Sequence, residues 1–194
     1  AEELCAINRQ RQIEENRIAE KAYEMIADLP DLDENPVIVL DSNEWQQGII
    51  GIVSSKITER YGLPSILISF DGSMDVEESP FDDGKGSGRS IKGLNLVEAL
   101  GYCEDLLVKY GGHELAAGLT VKRGSLDAFR ERINAYAREH LDEEAFKIKL
   151  EADCEIKMSD VNIDFARELQ YLEPYGTGNA TPLFVMRDVM VRKI

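Results

Sequence analysis

Three short stretches of this 194-residue chain carry side chains with which chemistry could be done. The first is Gly84-Lys85-Gly86-Ser87-Gly88-Arg89-Ser90. Its glycines allow a backbone to approach a ligand and free its N–H groups for an anion. Ser87 and Ser90 add hydroxyls, and Arg89 adds a planar fork matched to phosphate oxygens. From residue 84 to 97 the chain holds Lys85, Arg89 and Lys92 and no acid. Two interpretations stand side by side, a phosphate-binding loop and a flexible linker. The spacing is not that of a P-loop, which needs G-x-x-x-x-G-K-[ST].

The second stretch is Gly111-Gly112-His113-Glu114-Leu115-Ala116-Ala117-Gly118. It has almost no side-chain bulk, and its useful group is the His113 imidazole. It suits either close contact of Gly111 and Gly112 with a ligand, His113 donating to it, or a tight turn with a structural histidine. The third is Trp45-Gln46-Gln47-Gly48-Ile49-Ile50-Gly51-Ile52-Val53, where a strand end meets a helix start. Open α/β sheets place ligands at such junctions. Gly48 and Gly51 either admit a phosphate to the helix start or let the helix pack closely. Trp45 either stacks on a base or fills the core.

The two histidines, His113 and His140, form no H-E-x-x-H and no Asp-His-His, and no G-x-S-x-G elbow is present. A metal-dependent hydrolytic centre cannot be assembled from these residues. The acids of residues 71–83 lack EF-hand spacing and read as a solvated charge run.

Composition narrows the setting. There are 37 acids against 22 bases, a net charge of -15, with 43% hydrophobic residues. That is a soluble globular composition, and an acidic surface opposes non-specific binding to nucleic acid or membrane. Any polyanion site must then be a local basic pocket. No apolar run approaches the roughly 20 residues of a membrane span, and no secretory leader is visible. Cys5, Cys103 and Cys154 are odd in number and widely spaced, which reads as buried free thiols in a reducing cytoplasm. The chain opens on Ala1 and closes at Ile194 inside a strand-like run, the expected look of a piece of a longer protein.

The elements that must position these stretches follow from periodicity. Residues 1–29 read as one long helix, polar from Asn8 to Glu20, as a helix bridging two domains would be. Residues 36–41 and 64–70 are apolar runs of buried-strand length on either side of a helix at 46–61. This unit predicts a right-handed crossover and a partly parallel sheet. Residues 71–83 are expected as a loop, 94–110 as a helix, and 111–118 as a turn into a strand at 119–121. A helix capped by Ser125 runs to His140. A boundary is expected at 141–146, then a strand at 147–156, a helix at 159–172, a turn at 174–181 and a strand at 183–194. The fold class is α/β: a central mixed sheet flanked by helices, after a long linker helix and before the start of a β-rich region. The domains are accordingly 1–30, 31–145 and 146–194.

Taken together, the three stretches resemble RecJ-like exonucleases of the DHH phosphoesterase superfamily. Gly111-Gly112-His113-x-x-Ala116-Ala117-Gly118 is similar to the motif of the DHH-associated domain. Leu172-Glu173-Pro174-Tyr175-Gly176-x-Gly178-Asn179-x-x-Pro182-x-Phe184 looks like the RecJ segment that leads into an oligonucleotide-binding barrel. The resemblance implies a 5′→3′ single-stranded-DNA exonuclease of recombination and repair, using Mn²⁺ or Mg²⁺ held by a DHH domain that this chain lacks. It implies that Ser87 and Arg89 bind the 5′-phosphate, with Lys85, Ser90, Gly111, Gly112 and Trp45 also at the substrate, and that His113 sits near the phosphate being cut. No metal ligand falls in this chain, which would be inactive alone.

The implied partners are single-stranded DNA with a 5′ end, the DHH domain, and repair or replication proteins, with no membrane. Gln46 stands where these proteins usually carry His, which weakens a catalytic or metal role there. Gly88 stands for a common Ala, and Ala180 for a common Pro. Two alternatives remain: a phosphodiesterase for oligoribonucleotides or cyclic dinucleotides in the same superfamily, and a non-catalytic RecJ-like interaction module.

Overall fold

The structure, a computed structural model, describes residues 2–29, 32, 34–70, 79–141, 152–176 and 178–190. The chain divides into two compact units, residues 1–148 and 149–194.

The first unit is built on a five-stranded sheet. Its strands are β1 (Ile38–Ser42), β2 (Ser65–Ser69), β3 (Asp83–Arg89), β4 (Leu107–His113) and β5 (Ala116–Lys122), in the order β1-β2-β3-β5-β4. β1 and β2 run parallel, joined through helix α2 (Gln47–Tyr61), and the other pairs are antiparallel. The mixed sheet expected from the strand–helix–strand unit is therefore present.

Helices cover both faces, and the alternation of strand side chains makes two cores. On one face Val39, Ile66, Ile68, Phe70, Leu119 and Val121 meet α3 (Leu96–Tyr102) and α4 (Leu126–His140) through Leu96, Leu100, Phe129 and Ile133. On the other, Ile38, Leu40 and Leu67 meet α2 and the second half of α1 (Glu2–Ala27), through Ile50, Val53, Ile57, Ile18, Ala22 and Ile26. The first half of α1 leaves Leu4, Ile7 and Ile13 exposed. An edge strand is open to foreign pairing unless its polar groups are covered. Asn134 of α4 covers β1: its Oδ1 accepts from the Val37 N–H at 2.8 Å and its Nδ2 donates to the Val37 carbonyl at 3.2 Å.

Several expectations fail. Residues 84–89 lie in strand β3 rather than in a loop, and the helix expected at 94–110 ends at Tyr102. After a short 3-10 turn at Glu104–Leu106 the chain becomes β4, because residues 107–113 pair with β5 along their length. That ladder outweighs the helical spacing of Leu94, Val97, Leu100, Leu107 and Val108. The presumed turn at 111–118 is the tip of the β4–β5 hairpin, with Glu114 and Leu115 at the bend. The segment 71–83 is described only from residue 79, and of the boundary expected at 141–146 only Leu141 falls among the described residues. Among the cysteines only Cys103 is buried, and Cys5 and Cys154 are exposed, contrary to the expectation of three buried thiols.

The second unit pairs β6 (Cys154–Glu155) in parallel with β7 (Phe184–Val185) around α5 (Ile163–Leu169). The rings of Phe165 and Phe184 pack at a tilt of 60°, with centroids 5.3 Å apart. The segment 172–179 is closed by Asn179, whose Nδ2 donates to the carbonyls of Leu172 and Pro174 at 2.8 and 3.0 Å.

Candidate functional site

β3 is a strand whose alternate residues are glycine, and packing explains why. A Cβ on Gly84 would lie 2.6 Å from the Phe70 ring, one on Gly86 2.7 Å from Leu119, and one on Gly88 2.9 Å from Leu96. These three glycines fill the α3–α4 side of the sheet. Lys85, Ser87 and Arg89 must then point to the opposite face. The backbone N–H groups of β3 lie within ladders to β2 on one side and β5 on the other. They are not a free nest for an anion, so any ligand here meets side chains.

The register lines up three rows across β3, β5 and β4 on that face. Arg89 pairs with Ala116, which pairs with His113. Ser87 pairs with Gly118, which pairs with Gly111. Lys85 pairs with Thr120, which pairs with Lys109. With strands about 4.8 Å apart, Arg89 and His113 stand roughly 10 Å apart across a small floor. The hairpin tip is tied down: Ser90 N–H donates to the Leu115 carbonyl at 2.9 Å and Leu96 N–H to the Glu114 carbonyl at 2.8 Å. The ends of β3 and β4 that carry Arg89 and His113 are thereby held in one frame.

In the middle row only Ser87 carries a side chain, and the two glycines there have no packing reason. A Cβ on Gly111 would meet nothing within 4 Å, and one on Gly118 only the Gly86 carbonyl at 3.7 Å. Above them is a groove of about 320 Å³, with Gln47 of α2, Lys85, Lys109 and Thr120 on its walls.

Arg89 is held from three directions. Its Nε donates to Ser55 Oγ of α2 at 3.1 Å, and its Nη1 donates to Ser87 Oγ at 3.3 Å and to the Gly88 carbonyl at 2.8 Å. Ser55 Oγ in turn donates to the Gly51 carbonyl at 3.2 Å. Ser87 Oγ accepts from Arg89, so its own proton remains available to donate. Gly51 makes room for this arrangement: a Cβ there would lie 2.9 Å from Ser87 Oγ and 3.3 Å from Arg89 Nη2. Close helix–sheet packing is thus what Gly51 provides, while Gly48 faces open space.

The groove is basic in an acidic protein. Among the described residues no carboxylate pairs with Lys85, Arg89, Lys109 or His113. The next acid on this face, Asp83, is taken by Lys122 at 3.3 Å. His113 is exposed, one row beyond Gly111 on the same sheet face.

Three expected site residues fall elsewhere. Trp45 is 1% exposed in the α1–α2 core, so its ring has no face for a base. Ser90 is buried, and its hydroxyl donates to the Leu94 carbonyl at 2.8 Å. Gly112 lies on the α3–α4 side of β4, where a Cβ would come 2.4 Å from the Ala116 carbonyl; its role is in the hairpin. Conversely, Lys109, Thr120 and Ser55 border this candidate site and were not singled out from the sequence, while Gly51 and Gly118, named within their stretches, also border it. Lys109 was hidden inside the expected helix, although Lys109-x-Gly111-x-His113 has the period-two spacing of one strand face.

Among the described residues no group of three or more His, Cys, Asp or Glu could hold a metal ion. This sheet face offers ammonium, guanidinium, hydroxyl and one imidazole, which do not suit the oxygen shell that Mg²⁺ or Mn²⁺ requires. No helix among the described residues is long and apolar enough to cross a membrane.

Comparison with known proteins places the chain in a family. Residues 34–139 match the DHHA1 domain, and residues 152–194 match the RecJ OB domain. The chain is 34% identical to the single-stranded-DNA-specific exonuclease RecJ of Bacillus subtilis over its whole length, and 36% identical to that of Thermus thermophilus over 95% of it. It spans 24% of either relative. Crystal structures of Thermus thermophilus RecJ in complex with Mn²⁺ and with Mg²⁺ superpose with TM-scores of 0.73 and 0.72, at 32% and 33% identity. These matches cover 95% and 94% of this chain and 25% and 26% of those chains. The chain thus belongs to the DHHA1 domain family, carries a RecJ OB match beside it, and is RecJ-like along its length.

Proposed function

We propose that the sheet face around Ser87 and Arg89, beside the groove, holds the 5′-phosphate end of a single-stranded nucleic acid, DNA foremost, for a 5′→3′ exonuclease acting in recombination and repair. Ser87 donates its free proton to a phosphate oxygen, and Arg89 offers the Nη2 edge of a guanidinium fixed by Ser55 and the Gly88 carbonyl. Gly111 and Gly118 let the strand lie against the sheet. His113, across Ala116 from Arg89, donates to the next phosphate along. These are binding and orienting roles, which a charge-assisted contact suits.

Bond cleavage is not assigned to this chain. The reading gives this chain the holding of the strand and leaves hydrolysis, with the Mn²⁺ or Mg²⁺ that the related crystal structures contain, to other residues of the whole protein, so that these 194 residues alone are expected to be inactive. The OB-matching unit offers a further surface of a class that often binds oligonucleotides. The proposed setting is the cytoplasm, with repair or replication proteins as partners.

The observation that carries this reading is the Arg89 guanidinium held beside Ser87 at the edge of a glycine floor, with no carboxylate partner among the described residues, in a chain of net charge -15. The test is amide and imidazole chemical-shift mapping while a 5′-phosphorylated dinucleotide is added. Shifts should concentrate at Ser87, Arg89, Gly111, His113 and Gly118. Shifts confined to other residues would overturn the assignment.

A further inference from the structure

Lys85 and Lys109 stand apart from the Ser87–Arg89 pair. They flank Thr120 on the third row of the face, four residues along β3 and β4 from Arg89 and His113. At about 3.3 Å per residue that places their backbones roughly 13 Å from the Arg89 row. The Lys85 ammonium reaches toward Thr120 Oγ1, at 3.5 Å, over the groove wall. Neither lysine has a carboxylate partner among the described residues, whereas Lys122, one row further on, is paired with Asp83.

We infer that Lys85 and Lys109 form a second anion subsite, which takes an internal phosphodiester of a single strand. The inference rests on the proposed function and extends it from one clamped end to a stretch of backbone. Two flexible ammonium groups act as point charges, not as a directional fork. They therefore attract a phosphodiester without reading its base, as positioning contacts to a nucleic-acid backbone do. Two cations facing each other across one strand, in a chain this acidic, are a repulsive arrangement that an anion between them would relieve.

Neutralising a phosphate of a single strand releases counterions, and each contact contributes about 0.7 to the slope of log affinity against log salt. The experiment measures binding of a short 5′-phosphorylated DNA strand and of a 5′-mononucleotide to the 194-residue chain across a salt series. Lys85→Gln and Lys109→Gln should each lower the strand's slope by about 0.7, and the double variant by about 1.4. Mononucleotide binding and the preference for a 5′-phosphate over a 5′-hydroxyl should be unchanged. Lys122→Gln should leave the slope as it is.

An unchanged slope in the double variant would overturn the subsite, as would a parallel loss of mononucleotide binding. If the lysine-dependent slope persists while the wild-type chain shows no preference for a 5′-phosphate, the subsite stands and the end-clamp reading fails. If the wild-type chain binds neither ligand, both fail.

Discussion

The Nε–H of Arg89 on β3 donates to the Oγ of Ser55 on α2 at 3.1 Å, tying the guanidinium to a helix that never enters the sheet. Ser55 is itself anchored on the Gly51 carbonyl, one turn earlier. The orientation of Arg89 thus depends on α2 as much as on its own strand. Ser55→Ala should weaken binding of a 5′-phosphorylated strand several-fold while leaving the melting temperature nearly unchanged. Fluorescence titration and thermal denaturation check the two halves. Gly51→Ala should do the same more strongly, since its Cβ would crowd Ser87 Oγ at 2.9 Å.

The glycines of the hairpin separate stability from binding. Gly111→Ala and Gly118→Ala meet open space or ordinary contact, so denaturant unfolding should show no loss and a gain of up to about 1 kcal/mol from the stiffened unfolded chain. Both should weaken strand binding at least tenfold by raising the floor of the groove. Gly112→Ala should behave oppositely. Its φ of 153° and the 2.4 Å approach to the Ala116 carbonyl make it destabilising by about 1–3 kcal/mol. Equal effects at all three positions would contradict the division.

Much of this frame was legible in the sequence. Apolar runs at 36–41 and 64–70 became β1 and β2, and the helices at 46–61 and 125–140 became α2 and α4. These segments bury their apolar residues in the usual period, so pattern and packing agree. β3 escaped because glycine is a poor strand former, and Gly84, Gly86 and Gly88 looked like a loop. Their strict alternation with Lys85, Ser87 and Arg89 was the available signal. What it lacked was the reason for it, namely the Phe70, Leu119 and Leu96 side chains that occupy the space a Cβ would need. Trp45 could not be placed from local sequence, since core and ligand face differ there only by what α1 covers.

The three thiols should differ in reactivity. Burial pushes the Cys103 thiol up to about 11, while Cys5 and Cys154 are exposed. Native protein at pH 8 should give two fast-reacting thiols with a disulfide reagent, and the third only after unfolding. Fast labelling of all three would contradict the packing of Cys103 against α4.

Glu15 joins α1 to α2. Its carboxylate is buried and paired with Lys56 at 2.6 Å and with Arg11. The Lys56 hydrogen bond holds its pKa below the usual 4.5; burial opposes this and Arg11 adds to it. A lowered folded-state pKa stabilises the fold above the unfolded value and loses that contribution as pH falls through the folded one. Glu15→Gln should therefore cost about 1 kcal/mol at neutral pH, modest because Arg11 and Lys56 are more than a third exposed. The difference between variant and wild type should shrink on acidification below pH 4.5, as thermal unfolding across a pH series would show.

The central claim is that Arg89 and Ser87 grip a terminal phosphate. Its most direct test is the affinity of the 194-residue chain for one single-stranded oligonucleotide carrying either a 5′-phosphate or a 5′-hydroxyl, repeated with Arg89→Ala. Loss of a charge-assisted contact costs about 1.5–3 kcal/mol, so the wild-type chain should prefer the phosphate by roughly ten- to a hundredfold and the variant should bind both ends alike. A phosphate preference that survives Arg89→Ala would contradict the account.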